Sequence, residues 1–193
     1  MGDFSIISEI SNAILKTMRE QICPELIQAP EAIALTLPSD KNADYQLGLY
    51  LYDIQEMREY RQTEYVRINH MERRLPPKPL NLYYAVYINP RSQLTVDAEN
   101  EQRILGRVMQ VLMDHPVLPE EIEQEEEGMG MTITFQTLSF EEKSKLWSVL
   151  SMPYQLAVYF SVSPVMLSSR KISSFTRVVD AEFGTQQIRG GRG

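Results

Sequence analysis

Residues 80–89, LNLYYAVYIN, constrain the fold more than any other segment. Leu82, Tyr84, Val86 and Ile88 alternate along one side, Tyr83, Ala85 and Tyr87 along the other. Period-two alternation of β-branched and aromatic residues is a strand, and apolar residues on both sides require both faces to be covered at least in part. The segment is therefore expected at the centre of a sheet. The 193 residues suffice for one domain with a sizeable core.

The rest of the chain supplies what covers that sheet. Ile7, Ile10, Ile14, Met18 and Ile22 recur at helical spacing over residues 3–22, and Pro24 stops the run. Ile33, Leu35 and Leu37 alternate up to Pro38. After turn residues 39–44, Tyr45, Leu47, Leu49 and Leu51 alternate with Gln46, Gly48, Tyr50 and Tyr52, so the two runs are expected to form a hairpin. Asp97 reads as the N-cap of a helix reaching about His115, with Ile104, Leu105, Val108, Met109, Val111 and Leu112 as its apolar side. A strand follows at residues 131–136. Ser139 and Glu142 make a capping box for a short helix. Leu156, Val158, Phe160 and Val162 alternate as a strand that Pro164 is expected to break, with 165–167 continuing bent; residues 173–179 give one more strand. The order is that of an α+β fold, a mainly antiparallel central sheet of five to seven strands with flanking helices.

Two segments do not fit a compact core. Residues 53–79 are polar and end in RRLPPKP, with Pro76, Pro77 and Pro79 favouring extended backbone. They are either strands running out into solvent or a binding arm. The Gly-rich end, EFGTQQIRGGRG, has no apolar period and reads as a flexible tail over 180–193, leaving 1–179 as the folded unit.

Charge and chemistry narrow the function. The chain is net −7, which gives no general attraction to nucleic acid. Yet residues 168–193 carry Arg170, Lys171, Arg177, Arg189 and Arg192 against Asp180 and Glu182, net +3 on a −10 remainder. Such a segment suits an acidic protein surface, a copy of this chain included. Six glutamates lie within 120–127; their spacing is that of a solvated charge run, not a calcium loop. The single cysteine, Cys23, excludes an intramolecular disulfide and a multi-cysteine zinc site. It sits beside Pro24 in no nucleophile motif and reads as a small apolar residue. His70 lies in the polar arm and His115 at a helix C-terminus, where a cation is favoured. No cofactor or metal ligand set emerges, and an enzyme is not expected. No apolar run reaches the ~20 residues of a membrane span, and the N-terminus lacks a signal-peptide pattern, so cytoplasmic assembly is expected. Tyr50, Tyr52, Tyr60, Tyr65, Tyr83, Tyr84 and Tyr87 cluster on the arm and its flanking strands, which reads equally as interface or as half-buried sheet packing.

Four segments in order carry a resemblance. They are YQLGLYLYDIQEMREYR (45–61), LPPKPLNLYYAVYI (75–88), ENEQRILGRVMQVLMDHPVL (99–118) and LSFEEKSKLWSVLSMPYQLAVYFSVSPVML (138–167). Their order and spacing resemble the N-terminal domain of the tube-terminator, or cap, protein of phage-tail-like contractile injection systems, over about residues 4–170. Gln155-Leu156 depart from the small or hydroxylated residue usual after the PY turn. The resemblance implies a tail-terminator-like fold and a structural protein. It implies a homo-hexameric ring on the last layer of the inner tube protein, distal to the baseplate, engaging the last layer of sheath protein. Nucleic acid, membrane insertion and cofactors have no part in that role; the particle is either released or membrane-attached. The arm and the basic segment then become candidate interface elements, with Arg58, Tyr60, Arg61, Tyr65, Arg170, Lys171, Arg177 and Arg189 as candidate interface residues. The alternatives are a neck or tail-completion adaptor of a phage-like particle, or a small-molecule hydrolase.

Overall fold

The computed structural model describes residues 4–40, 44–60, 64–69, 72–92, 97–117 and 130–174. Helix α1 (Ile6–Ile22) comes first, then strands β1 (Ile33–Leu35), β2 (Leu47–Glu56), β3 (Val66–Arg67), β4 (Glu72–Arg74) and β5 (Lys78–Ile88). Helix α2 (Ala98–Asp114), β6 (Thr132–Phe135), α3 (Phe140–Val149), β7 (Ala157–Leu167) and β8 (Ile172–Ser174) complete it. The main sheet has the order β1-β2-β5-β7-β6; a small second sheet has the order β3-β4-β8. The fold is α+β with a mostly antiparallel main sheet, and β5 is its central strand, as residues 80–89 require.

Three layers explain why both sides of β5 are apolar. Leu82, Tyr84 and Val86 face α1 and α2, in a core that takes Ile10, Ile14, Met18 and Ile22 from α1 and Ile104, Val108, Val111 and Leu112 from α2. Burying each such side chain fully is worth about 1.5–3 kcal/mol. The one buried hydroxyl on this side of α1, Ser11, makes two contacts, with the Ile7 carbonyl and with the Tyr84 hydroxyl, each at 2.9 Å. On the opposite face Tyr87 packs edge-on against Trp147 of α3, and Tyr45 and Met152 close the second cluster. Trp147 Nε1 donates to the Tyr159 hydroxyl at 3.0 Å, so the buried indole is not left unpaired.

The caps lie where the sequence places them. The Asp97 carboxylate accepts from the Asn100 N–H at 2.8 Å, and the Ser139–Glu142 capping box is complete. Met109 departs from the expected apolar side of α2. It is 43% exposed, because the buried stripe turns past it at Val108, Val111 and Leu112.

Two further expectations are overturned. The β1–β2 pair is parallel, not a hairpin. The pair is joined by Gln46 N–H to Ala32 O and Thr36 N–H to Leu49 O. Nor does Pro164 break β7. The register steps from Leu80–Val165 to Leu82–Val162, so Ser163 and Pro164 together oppose one residue of β5. Proline lacks the N–H of a ladder bond, and a bulge is where that donor is not missed. A second register shift lies between Leu51 and Asp53 and leaves Tyr52 as the extra residue of β2, against Tyr83 and Tyr159. Of the strand expected over 173–179 only Ile172–Ser174 is described. The acidic run, His70 and the tail lie outside the described residues.

Candidate assembly surface

The arm is an excursion of strands. Along β2 the side chains pass from buried at Leu47 to exposed at Glu56, and β5 begins exposed at Lys78. The base of the excursion is fixed by Met57 N–H to Pro79 O at 2.8 Å. A Lys78–Glu56 contact at 3.6 Å adds little, being largely solvent-exposed. Beyond it a single 3-10 turn holds Arg58–Tyr60, and β3 and β4 follow as an antiparallel pair. Their connection is held by Ile68 and Asn69 N–H groups on the Glu72 carbonyl and by Asn69 Nδ2 on the Glu72 carboxylate at 2.6 Å.

β8, about a hundred residues later in the chain, adds to β4 and makes the second sheet. Register decides what each side of it shows. Arg67 lies opposite Arg73, and Arg73 opposite Ser173. Alternation then puts Tyr65, Leu75 and Lys171 on that same side. Arg73 holds its guanidinium 4.3 Å from the centre of the Tyr65 ring, which agrees. This side carries Arg67, Arg73 and Lys171 and, among the described residues, no carboxylate at its strand positions. The other side is mixed: Val66, Arg74 and Ile172 in one row, Glu72 and Ser174 in the next.

The candidate interface residues therefore divide. Tyr65, 47% exposed, and Lys171 come together on the cationic side. Arg170 sits next to it, its guanidinium 4.9 Å from the Phe4 ring ahead of α1. Arg58 is exposed in the 3-10 turn, away from the strands of the small sheet in sequence; Tyr60 ends that turn. Arg61, Arg177 and Arg189 lie outside the described residues. Sequence reasoning does not single out Arg67, Arg73 or Arg74. Strands of two and three residues have no readable period, and β4 meets β8 only through the fold.

Most of the tyrosine cluster is packing. Tyr84 and Tyr87 are fully buried and Tyr45 and Tyr159 nearly so, with Tyr45 and Tyr87 hydroxyls 2.6 Å apart. Burial, then the bond to Tyr45, pushes the Tyr87 phenol far up from its usual value. Burial, with Tyr83 and Tyr159 alongside, raises Tyr52 to about 12. These are phenols kept neutral for packing, not acids poised for neutral-pH chemistry.

Other chemistry is sparse. Cys23 is half-buried against the core and burial raises its thiol, the reverse of activation. Among the described residues no group of His, Cys, Asp and Glu is placed to hold a metal ion, and no helix is long and apolar enough to cross a membrane. A crevice of about 100 Å³ between α1, α2 and β6 is lined mostly by apolar side chains, with Thr17 and His115 as its polar members.

Comparison with known proteins places the fold and the family. No curated protein matches the sequence. Among solved structures, the fold is similar to the sheath/tube terminator of PVC, an extracellular contractile injection system, in its extended state. That likeness has a TM-score of 0.66 at 19% identity and covers 95% of this chain and 64% of the other. It is similar also to the tube-terminating cap of the anti-feeding prophage, with a TM-score of 0.61 at 20% identity over 92% of this chain and 61% of the other. The chain thus spans less than two thirds of either protein. The family model for the Pvc16 N-terminal domain matches residues 9–181, nearly the whole chain, and the chain belongs to that family.

Proposed function

We propose that this chain is a non-catalytic cap of a contractile injection particle. Copies form a six-membered ring on the last layer of inner tube, stop its growth, and engage the last layer of sheath. The observation that carries this reading is the family match over residues 9–181, and the fold shared with a sheath/tube terminator and a tube-terminating cap supports it. A heterologous contact between different patches of one chain closes into a ring when its rotation divides the circle, and otherwise gives a filament. The folded capping unit is residues 1–179 with its arm at 53–79, and residues 180–193 are a tail that contributes to contacts. Assembly takes place in the cytoplasm, without cofactor, nucleic acid or membrane insertion. The test is deletion of this chain from a particle-producing cell. Electron microscopy should then show tubes and sheaths of irregular length, or sheaths contracted early. Extended particles of normal length would sink the proposal.

A further inference from the structure

We infer that the turn between α3 and β7 of one copy docks on the outer face of α2 of the next. The inference rests on the ring reading above and names the contact that repeats around it. Gln102, Gly106, Met109 and Met113 follow one another at spacings of four, three and four along α2, so they form one row, and all four are exposed and uncharged. Gly106 lies inside a 17-residue helix, where glycine is less favourable than alanine. A Cβ there would meet nothing within 4 Å, so no described neighbour in its own chain calls for a glycine. What the missing side chain provides is a notch in which another surface reaches the helix backbone. Met113, 65% exposed, and Met109 border that notch with flexible thioethers that adapt to what they meet.

The second surface lies across the sheet. Residues 146–169 contain no charged residue, in a chain of which 23% is charged. Val149 in that stretch is 84% exposed, and Tyr154 and Leu156 are exposed in the turn that follows. Phe140, 70% exposed, sets its ring 5.2 Å from that of Tyr154. The turn is built before any contact: Ser151 takes a φ of 55°, and the Ser151 and Met152 N–H groups donate to the Ser148 and Trp147 carbonyls at 2.9 and 3.1 Å. A preformed turn loses little freedom on docking. The occupant of the α2 row is then another copy, for three reasons. α2 packs on one side of the main sheet and α3 on the other, so within one chain the two surfaces face apart, while between copies they meet head to tail. A chain of net −7 repels its own copies, and contact costs least where neither surface carries charge. Methionine against Phe and Tyr rings is a favourable pairing, and interface cores are rich in these residues and poor in charge.

Cysteines placed beside the two surfaces test the contact. In a Cys23→Ala background one variant carries Gln110→Cys and the other Ser148→Cys, and a short bifunctional maleimide is added. The mixture should give covalent dimers holding one chain of each kind, at least tenfold more than either variant alone. A mixture no more linked than the separate variants overturns the inference. Gly106→Gln, added to the Gln110→Cys variant, supplies the second measurement. It should melt no lower than its parent, because glutamine favours the helix and the position is open, and it should cut the yield of mixed dimers at least tenfold. An undiminished yield overturns the inference. So does early melting, which would mean that the row is covered by its own chain. The ring reading is judged separately, from mass by light scattering. Six-membered rings without mixed dimers leave that reading standing and overturn this contact, whereas mixed dimers in a chain that closes no ring of six sustain the contact and defeat the ring.

Discussion

At the scale of single residues, packing around the aromatic core sets the tolerances. Gly48 lies opposite Tyr87, and a Cβ there would sit 2.6 Å from the Tyr87 ring. The ring has nowhere to go, held by Tyr45 on one side and Trp147 on another. Gly48→Ala should therefore cost about 1–3 kcal/mol of stability by forcing the ring aside, measured by denaturant unfolding. Nothing in the alternating run 45–52 announces this, since a glycine in a strand says only that something comes close, not what. Tyr84 gives a pH-dependent counterpart. Its phenol is pushed up from 10.0 to about 12, chiefly by burial, with the Ser11 hydroxyl pulling it down. The folded state thus holds the proton more tightly than the unfolded chain. Its contribution to stability is complete below pH 10 and is lost as pH rises towards 12. Tyr84→Phe should flatten the decline in stability between pH 10 and 12, at a cost of about 0.5–1.5 kcal/mol near neutrality for the lost hydrogen bond. An equally steep alkaline decline in the variant would show that other phenols dominate it.

At the scale of elements, the sequence is most legible where a local rule acts alone. The caps of α2 and α3, the central position of β5 and the end of α1 each follow from residues within one turn or one strand. It is least legible where partners are distant. The direction of β1 is set by its parallel pairing with β2, and the small sheet depends on β8 finding β4. The β1 edge shows why its direction matters. Arg19 Nε and Nη2 both donate to the Ile33 carbonyl, at 3.0 and 2.7 Å, and the Ile33 N–H donates to Pro30 O. The outward backbone groups of Ile33, at the start of this edge strand, are thereby occupied by the chain itself, which blunts it there against strand addition. Arg19→Ala reopens the carbonyl beside Leu35, which is 45% exposed. The variant should keep its fold and self-associate at lower concentration than the wild type, followed by light scattering. A variant as monodisperse as the wild type would mean that the shortness of β1 protects the edge without help from Arg19.

At the scale of the whole molecule, core and charge are segregated along the chain. Among the described residues the buried apolar core runs from Ile6 to Met166, while residues 168–193 carry net +3 against −10 for the remainder. The fold class was readable from the sequence because the core obeys period rules. The candidate surface was readable only in part, at Tyr65, Arg170 and Lys171, because Arg67 and Arg73 gain their common side from register with β8. The family match ends at residue 181. Removing 181–193 deletes no residue of the described core, so thermal stability should stay within the roughly ±0.5 kcal/mol of surface changes. The same deletion removes Arg189 and Arg192 along with Glu182, taking a chain of net −7 to −8 and raising repulsion between copies. Ring formation at low salt should therefore weaken. Exposed charges are screened beyond about 8–10 Å at 0.1–0.15 M salt, so the difference between full-length and truncated chains should narrow as salt is raised. Light scattering across a salt series measures both. A truncated chain that melts early would place the tail in the core, and one that assembles like the full chain at every salt concentration would show that the cationic sheet acts without it.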